Sequence, residues 1–361
     1  MTTDRNILGR KSPMPLDLPI DSIKEEIVDL VRKEPGVVIQ SPAGSGKSTR
    51  VPQFLADHLL PPDRQVLVLQ PRRMAARILA NWVAAERNAQ TGKEVGYHIR
   101  FENCTQPDSR IVFLTEGVLL RKLFSGNRLE RAGVVIFDEF HERHLETDLT
   151  LSMVVHLQQT VRPDLKWLIM SATVHNEQLP APLRHTPVIT SSGRSHGVTV
   201  NHIKTHSARP VWESAAEMAL KAAQTQAQGS ILIFMAGSYE IRRTLEAIGQ
   251  ISGLQGFTAL PLYGGLSKQE QDRALKGDGK GLNRKIIVST NVAETSLTID
   301  GITAVIDSGT AKVARFDPTR NVNGLFVEPI SSSSADQRAG RAGRTAPGSC
   351  YRLWPIQHHE S

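Results

Sequence analysis

The sequence predicts an α/β protein built as two tandem domains, each a mostly parallel sheet with helices on both faces. Three observations carry that prediction. Short apolar runs alternate with stretches of helical spacing along most of the chain, the pattern of parallel strands joined by crossover helices. The first apolar run, Val37 to Ile39, enters a small-residue loop containing Gly44 and Gly46 and then helix-favouring sequence, a strand–loop–helix unit. Between Ala181 and Arg209 the alternation lapses into Pro, Ser, Gly and His, and a second alternation follows it. A length of 361 residues accommodates two ordinary domains, each able to bury a core. The boundaries read this way are a loose arm over 1–16, a first domain over 17–195 and a second over 196–361.

In chain order, Asp21 to Arg32 spaces Ile23, Ile27, Val28 and Leu30 as a helix, with Asp21 or Ser22 able to cap it. After the glycine loop come a strand at Gln65 to Leu69, a helix at Arg72 to Arg87, a strand at Arg110 to Leu114 and a helix from Glu116. A strand at Val134 to Phe137, a helix from Leu149 and a strand at Lys166 to Met170 complete the first domain. In the second, a strand near Val198 to Lys204 precedes a helix from Pro210 to about Gln226. Strands at Ser230 to Phe234, near Leu260, at Lys285 to Ser289 and at Ile302 to Asp307 alternate with helices at Tyr239 to Ile248 and from Lys268. The run Ser331 to Ser334 reads as a loop leading into a helix.

Composition narrows the class. Apolar content of 40% and charged content of 22% fit a soluble globular chain. A formal charge of +7 and a pI near 9.5 favour a phosphate-bearing partner. Cys104 and Cys350 are far apart and lack C-x-x-C spacing, which excludes a zinc ribbon and a disulfide framework and suits a reducing cytosol. No apolar run approaches a membrane span, and residues 1–20 lack a signal-peptide core. The expectation is a cytoplasmic protein without a membrane partner.

Three stretches carry chemistry. SPAGSGKS (41–48) is a phosphate loop: successive backbone N–H groups of Ala43, Gly44, Ser45 and Gly46 turn inward and end on a helix N-terminus, where Lys47, Ser48 and Thr49 follow. Lys47 reaches the terminal phosphates and the Ser48 hydroxyl is placed to ligand Mg²⁺. The strict pattern has glycine where this chain has Ser41. VVIFDEFHER (134–143) ends an apolar strand in Asp138 and Glu139. Two acids at a strand end are ordinary surface chemistry by themselves; downstream of a phosphate loop, Asp138 can hold Mg²⁺ and Glu139, also placed near the metal, can orient and deprotonate water. QRAGRAGR (337–344) spaces Arg338, Arg341 and Arg344 three apart along one helical face, with Ala and Gly between them allowing close approach to another surface. Guanidinium groups set against a transferring phosphoryl group raise its rate roughly 10³- to 10⁵-fold.

SPAGSGKS, QPRRMAA (70–76), TEG (115–117), DEFHER (138–143), SAT (171–173), STNVAETSLTIDG (289–301) and QRAGRAGR, in this order, resemble the core of a DEAH-box RNA helicase. Within that group DEFHER and CYRLW (350–354) are most similar to the bacterial HrpB type. The resemblance spans about residue 17 to the end. It implies two RecA-like domains with ATP in the cleft between them, Mg²⁺ as cofactor, and RNA-stimulated NTP hydrolysis coupled to translocation along, or unwinding of, RNA. By that resemblance Lys47, Ser48, Asp138 and Glu139 form the hydrolytic half, His141 couples nucleotide to the other domain, and Gln337 helps hold the water or γ-phosphate. Arg341 and Arg344 act as arginine fingers, Asp300 lies near the ribose, and Ser171 and Thr173 link hydrolysis to closure. Arg72, Arg73, Arg100, Thr115, Ser238, Thr290 and Asn291 fall where the family touches the backbone of a single strand, so the implied partner is single-stranded RNA or an RNA duplex with an overhang.

Two departures accompany the likeness. No glutamine precedes Gln40, so the glutamine by which the related DEAD-box group reads adenine is missing and other NTPs should be accepted. Where the family usually stacks an arginine on the base stands Trp82, an indole equally able to stack but more often a core residue of an amphipathic helix. Only residues 345–361 follow the arginine motif, where the family continues into accessory domains. The expectation is therefore either a chain truncated at its C-terminus or a minimal two-domain form, in which hydrolysis outperforms unwinding. Two other readings remain open from sequence: a nucleotide-regulated RNA-binding module without useful catalysis, and a DNA helicase sharing every phosphate contact.

Overall fold

The computed structural model describes residues 18–42, 44–172, 179, 183–192, 196–205, 208–225, 228–276, 284–294, 299 and 301–359. The chain divides into two compact units, Met1–Gly193 and Arg194–Ser361.

In the first unit a 3-10 turn, Pro19–Ile23, leads into α1 (Lys24–Lys33), β1 (Gly36–Gln40), α2 (Lys47–His58), β2 (Gln65–Gln70) and α3 (Arg73–Glu86). There follow β3 (Val95–Ile99), β4 (Glu102–Cys104), β5 (Ile111–Thr115), α4 (Glu116–Phe124), β6 (Ala132–Phe137), α5 (Leu145–Thr160), β7 (Lys166–Ser171) and β8 (Val188–Thr190). Among the described residues the strands form one sheet in the order β4-β3-β5-β2-β6-β7-β1-β8. Every pairing is parallel except β3 with β4.

The near-continuous apolar strands follow from burial on both faces. Val37, Ile39, Val66, Val68, Val134 and Ile136 point to one side, where α1, α2 and α3 add Ile27, Leu55 and Leu79. Their neighbours Val38, Leu67, Leu69, Val135 and Phe137 point to the other, under Leu119 of α4 and Leu151 and Val154 of α5. The period of two within each strand thus divides one apolar run between two cores.

In the second unit the elements are β9 (Val198–His202), α6 (Val211–Thr225), β10 (Ser230–Phe234), α7 (Ser238–Gly249), β11 (Thr258–Leu262), α8 (Lys268–Lys276), β12 (Lys285–Ser289) and β13 (Ile302–Asp307). A hairpin of β14 (Thr310–Asp317) and β15 (Val322–Pro329), then α9 (Ser332–Ala339) and β16 (Gly348–Arg352), complete it. The sheet order is β11-β12-β10-β13-β16-β9, all parallel, and the hairpin forms its own antiparallel pair.

Several expectations need correction. Asp21 does not cap α1: its Oδ2 accepts from Leu18 N at 2.8 Å and closes the preceding 3-10 turn, which Pro19 initiates. Helix α5 starts at Leu145 rather than Leu149, because both leucines are exposed and mark no buried stripe, whereas Glu146 and Asp148 suit the positive end of a helix. The helix after Ser331 begins at once, with Ser331 Oγ accepting from Ser334 N at 3.2 Å. Trp82 is not core: Leu79, Ala80, Val83 and Ala84 make the buried stripe of α3 and leave the indole 41% exposed.

Candidate functional site

The phosphate-loop residues sit where β1 ends beside β7 and β6. Ser41 N donates to Ser171 O at 2.9 Å, which fastens the loop's first residue to the end of β7. Ser41 is fully buried and is not among the residues with positive φ, so its backbone conformation does not require the missing glycine. Gly44 and Gly46 do need their freedom, with φ of +85° and +92°. At Gly46 a Cβ would stand 2.6 Å from Leu18 Cδ1, and Ile20 N donates to Ser45 O at 3.1 Å, so the turn at Pro19–Ile23 braces the loop from behind. Lys47 and Ser48 open α2 and are almost wholly buried, and Thr49 Oγ1 donates to Gly46 O at 3.1 Å. Ala43 lies outside the described residues.

The acid pair meets this loop from β6. Asp138 and Glu139 are 2% and 6% exposed. Asp138 Oδ2 accepts from Gln70 Nε2 at 2.5 Å and its Oδ1 from Glu139 N at 2.9 Å. Burial, followed by the neighbouring Glu139 charge, pushes the Asp138 carboxyl up to about 6; Lys47, the Ser48 hydroxyl and Gln70 pull against that rise. Lys47 Nζ lies 4.0 Å from Glu139 Oε1. Glu139 and Arg143 hold left-handed backbone, φ +53° and +50°, conformations that cost non-glycine residues free energy and concentrate at functional turns. His141 Nδ1 stands 3.6 Å from Glu139 Oε2 and 3.3 Å from Ser171 Oγ, so this turn gathers the ends of β6 and β7 over the loop. A lysine, a hydroxyl and two carboxylates so arranged suit a Mg²⁺-bound polyphosphate: the hydroxyl and Asp138 are hard oxygen donors, and Mg²⁺ is commonly held by one or two carboxylates plus phosphate oxygens.

In the first unit, the residues that the sequence matches to strand contacts lie at the carboxyl ends of its strands. Arg72 stands at the N-cap position of α3 after β2, Thr115 at that of α4 after β5, and Arg100 follows β3, three adjacent strands. Arg73 and Arg100 are exposed, the latter 4.7 Å over the Phe101 ring, whereas Arg72 Nη2 is held 3.1 Å from Glu142 Oε2. In the second unit Ser238 opens α7 after β10 and is exposed. Thr290 and Asn291 follow β12, the neighbouring strand, and Thr290 Oγ1 accepts from Val292 N at 3.5 Å.

The arginine motif differs from its sequence expectation. Helix α9 ends at Ala339 and a 3-10 turn, Gly340–Gly343, follows, so the three arginines do not share one helical face. Arg338 points inward: fully buried, it donates to Glu294 Oε2 at 2.9 Å and Asp307 Oδ1 at 2.8 Å and lies 4.8 Å over the Phe234 ring. Arg341 is 3% exposed and its Nε donates to Glu294 O at 3.0 Å; Arg344 and Gln337 are half-buried. A Cβ on Gly343 would meet His196 O at 2.5 Å, so at that position the small residue serves packing within its own unit. Asp300 and Thr173 lie outside the described residues.

Residues 21–180 match the DEAD/DEAH box helicase model, and residues 214–346 match the helicase conserved C-terminal domain. The chain belongs to the DEAD/DEAH box helicases. It is 40% identical over 332 residues to the ATP-dependent RNA helicase HrpB of Escherichia coli K12, covering 92% of this chain and 40% of that protein. To the ATP-dependent RNA helicase HrpA of Borreliella burgdorferi it is 35% identical over 345 residues, 95% of this chain and 42% of the relative. Two crystal structures of Escherichia coli HrpB, a DEAH/RHA helicase and DExH-box NTPase, match with TM-scores of 0.87 and 0.80 at 38% identity. They cover 95% and 96% of this chain and 43% of theirs. The helicase chain spans about two fifths of the length of these relatives.

In this helicase three polar residues escaped the sequence reading: Gln70 on the Asp138 carboxylate, and Glu294 and Asp307 around Arg338. Gln70 and Glu294 lie inside quoted motifs, but nothing in the sequence says which acid an arginine will choose. Among the described residues no helix is long and apolar enough to cross a membrane.

Proposed function

We propose that this chain hydrolyses ATP, and other NTPs with little discrimination, in a reaction that RNA stimulates and that drives movement along or unwinding of RNA. The observation that carries the reading is the buried group of Lys47, Ser48, Asp138 and Glu139 at one end of the first sheet. Lys47 and the loop N–H groups hold the terminal phosphates. Ser48 and Asp138, with Glu139 close by, would hold Mg²⁺, which would neutralise charge on the phosphates. Glu139 orients the attacking water and accepts its proton. His141, between Glu139 and Ser171, transmits the state of the site. Arg341 and Arg344, assisted by Gln337, supply positive charge to the departing phosphoryl group.

Strand binding falls to Arg72, Arg73, Arg100 and Thr115 in the first unit and to Ser238, Thr290 and Asn291 in the second. These are hydroxyl, amide and guanidinium groups suited to phosphate and ribose rather than base edges, so sequence preference is weak. The exposed indole of Trp82 is available to stack on a nucleobase. A cytoplasmic location accords with the substrate. The test is phosphate release with and without single-stranded RNA and with single-stranded DNA: stimulation by RNA supports the reading, equal stimulation by DNA turns it toward a DNA helicase, and absence of turnover leaves a binding module.

A further inference from the structure

His144 precedes α5, immediately after the left-handed Arg143, and its ring stands between two carboxylates. Nδ1 is 3.5 Å from Glu116 Oε2 and Nε2 is 3.6 Å from Glu142 Oε2. Each of those acids is committed elsewhere. Glu116 opens α4 directly after Thr115, is 6% exposed, and accepts from the Thr147 hydroxyl. Glu142 ends the turn that starts at Glu139, its N donating to Glu139 O at 3.0 Å, and its carboxylate holds Arg72 at 3.1 Å. One imidazole therefore joins the turn carrying the acid pair to the first residues of α3 and α4, where Arg72 and Thr115 stand.

We propose that His144 is a positioning residue that couples strand binding at Arg72 and Thr115 to the acid-pair turn; the proposal rests on reading the chain as a nucleic-acid-stimulated NTP hydrolase. An imidazolium carries N–H groups on both nitrogens and satisfies both carboxylates; a neutral ring has one and turns a lone pair toward the other. The charged groups facing the ring are Glu116 from α4, Glu142 from the turn and Arg72 from the start of α3; on its own segment Arg143 pairs with Asp148 at 2.9 Å. The hydrogen bond to Glu116, and then the charges of both acids, outweigh burial and Arg72 and hold His144 above the ordinary histidine value. The bridge is accordingly complete at the acid side of neutrality and loses one arm as pH rises through the raised value. The ring is partly exposed, so it exchanges protons with solvent without opening the fold.

The experiment compares wild type, His144→Gln and His144→Arg between about pH 6 and pH 8.5, measuring basal and RNA-stimulated phosphate release together with oligoribonucleotide affinity by anisotropy. Basal turnover should agree within about twofold among the three. The ratio of stimulated to basal turnover in wild type should fall with rising pH. In His144→Gln it should be at least about fivefold lower at the acid end and flat; in His144→Arg, which keeps a cation with several donors, it should stay high and flat. Identical ratios in wild type and His144→Gln at every pH overturn the proposal, as does a parallel fall of basal and stimulated turnover, which marks a structural role. Should wild type show no stimulation, the functional reading fails separately. Affinity then decides: the same ordering in strand binding supports the bridge, and pH-independent, equal affinities overturn it.

Discussion

Lys47 Nζ stands 4.0 Å from Glu139 Oε1 with both side chains almost wholly buried, and Asp138 adjoins them. One ammonium thus faces two carboxylates in a site where burial strengthens every charge.

Removing that ammonium is the first prediction. Lys47→Ala takes away both the proposed phosphate contact and the counter-charge, so turnover should fall at least about 10²-fold. Nucleotide affinity, read by equilibrium binding, should fall with it. Undiminished turnover would break the link between this loop and hydrolysis.

Asp138 supplies a pH signature. Its folded value, about 6, lies above the ordinary 3.8. The native protein therefore binds this proton more readily than the unfolded chain, and the stability it contributes is full below pH 3.8 and lost as pH rises through about 6. Mg²⁺ with nucleotide favours the carboxylate, so it should raise Tm more at pH 7.5 than at pH 5, both about a unit or more from that value. Hydrolysis should decline as pH falls below about 6. Asp138→Asn should flatten the pH dependence of ligand-free Tm and abolish turnover.

The arginines should separate by effect. Arg338→Ala leaves Glu294 and Asp307 buried without their cation, and urea unfolding should show a loss of about 3–5 kcal/mol. Arg341→Ala removes one buried donor and should cost no more than about 2 kcal/mol. Similar stability losses for both would contradict the inward placement of Arg338.

Trp82 offers a fourth kind of test. Because its ring lies outside the buried stripe of α3, Trp82→Ala should change stability by no more than about 0.5 kcal/mol. KM for ATP and GTP should rise together, since stacking does not distinguish bases. Unaltered KM would remove the indole from nucleotide binding.

Most strands were legible because burial on both faces demands unbroken apolar runs such as VVI at 37–39 and ILIF at 231–234. Edge elements were not: β4 reads ENC, β3 is interrupted by Gly96 and His98, and β8 has three residues, so none displays a period. The hairpin β14–β15 exposes Phe316, Leu325 and Val327, and its mixture of charged and apolar residues masks both strands. At the site, Lys47, Ser48, Asp138 and Glu139 were readable because a loop and a strand end fix their neighbours locally. The inward turn of Arg338 was not, because it depends on Glu294 and Asp307, which only the tertiary fold brings beneath α9.

The central claim is that hydrolysis needs the loop and acids of the first unit and an arginine of the second. RNA-stimulated phosphate release by Arg341→Ala, verified as folded, tests it most directly. Turnover should fall roughly 10³-fold or more, into the range of Lys47→Ala. Wild-type turnover in that variant would show that the first unit acts without the arginine motif and would contradict the account.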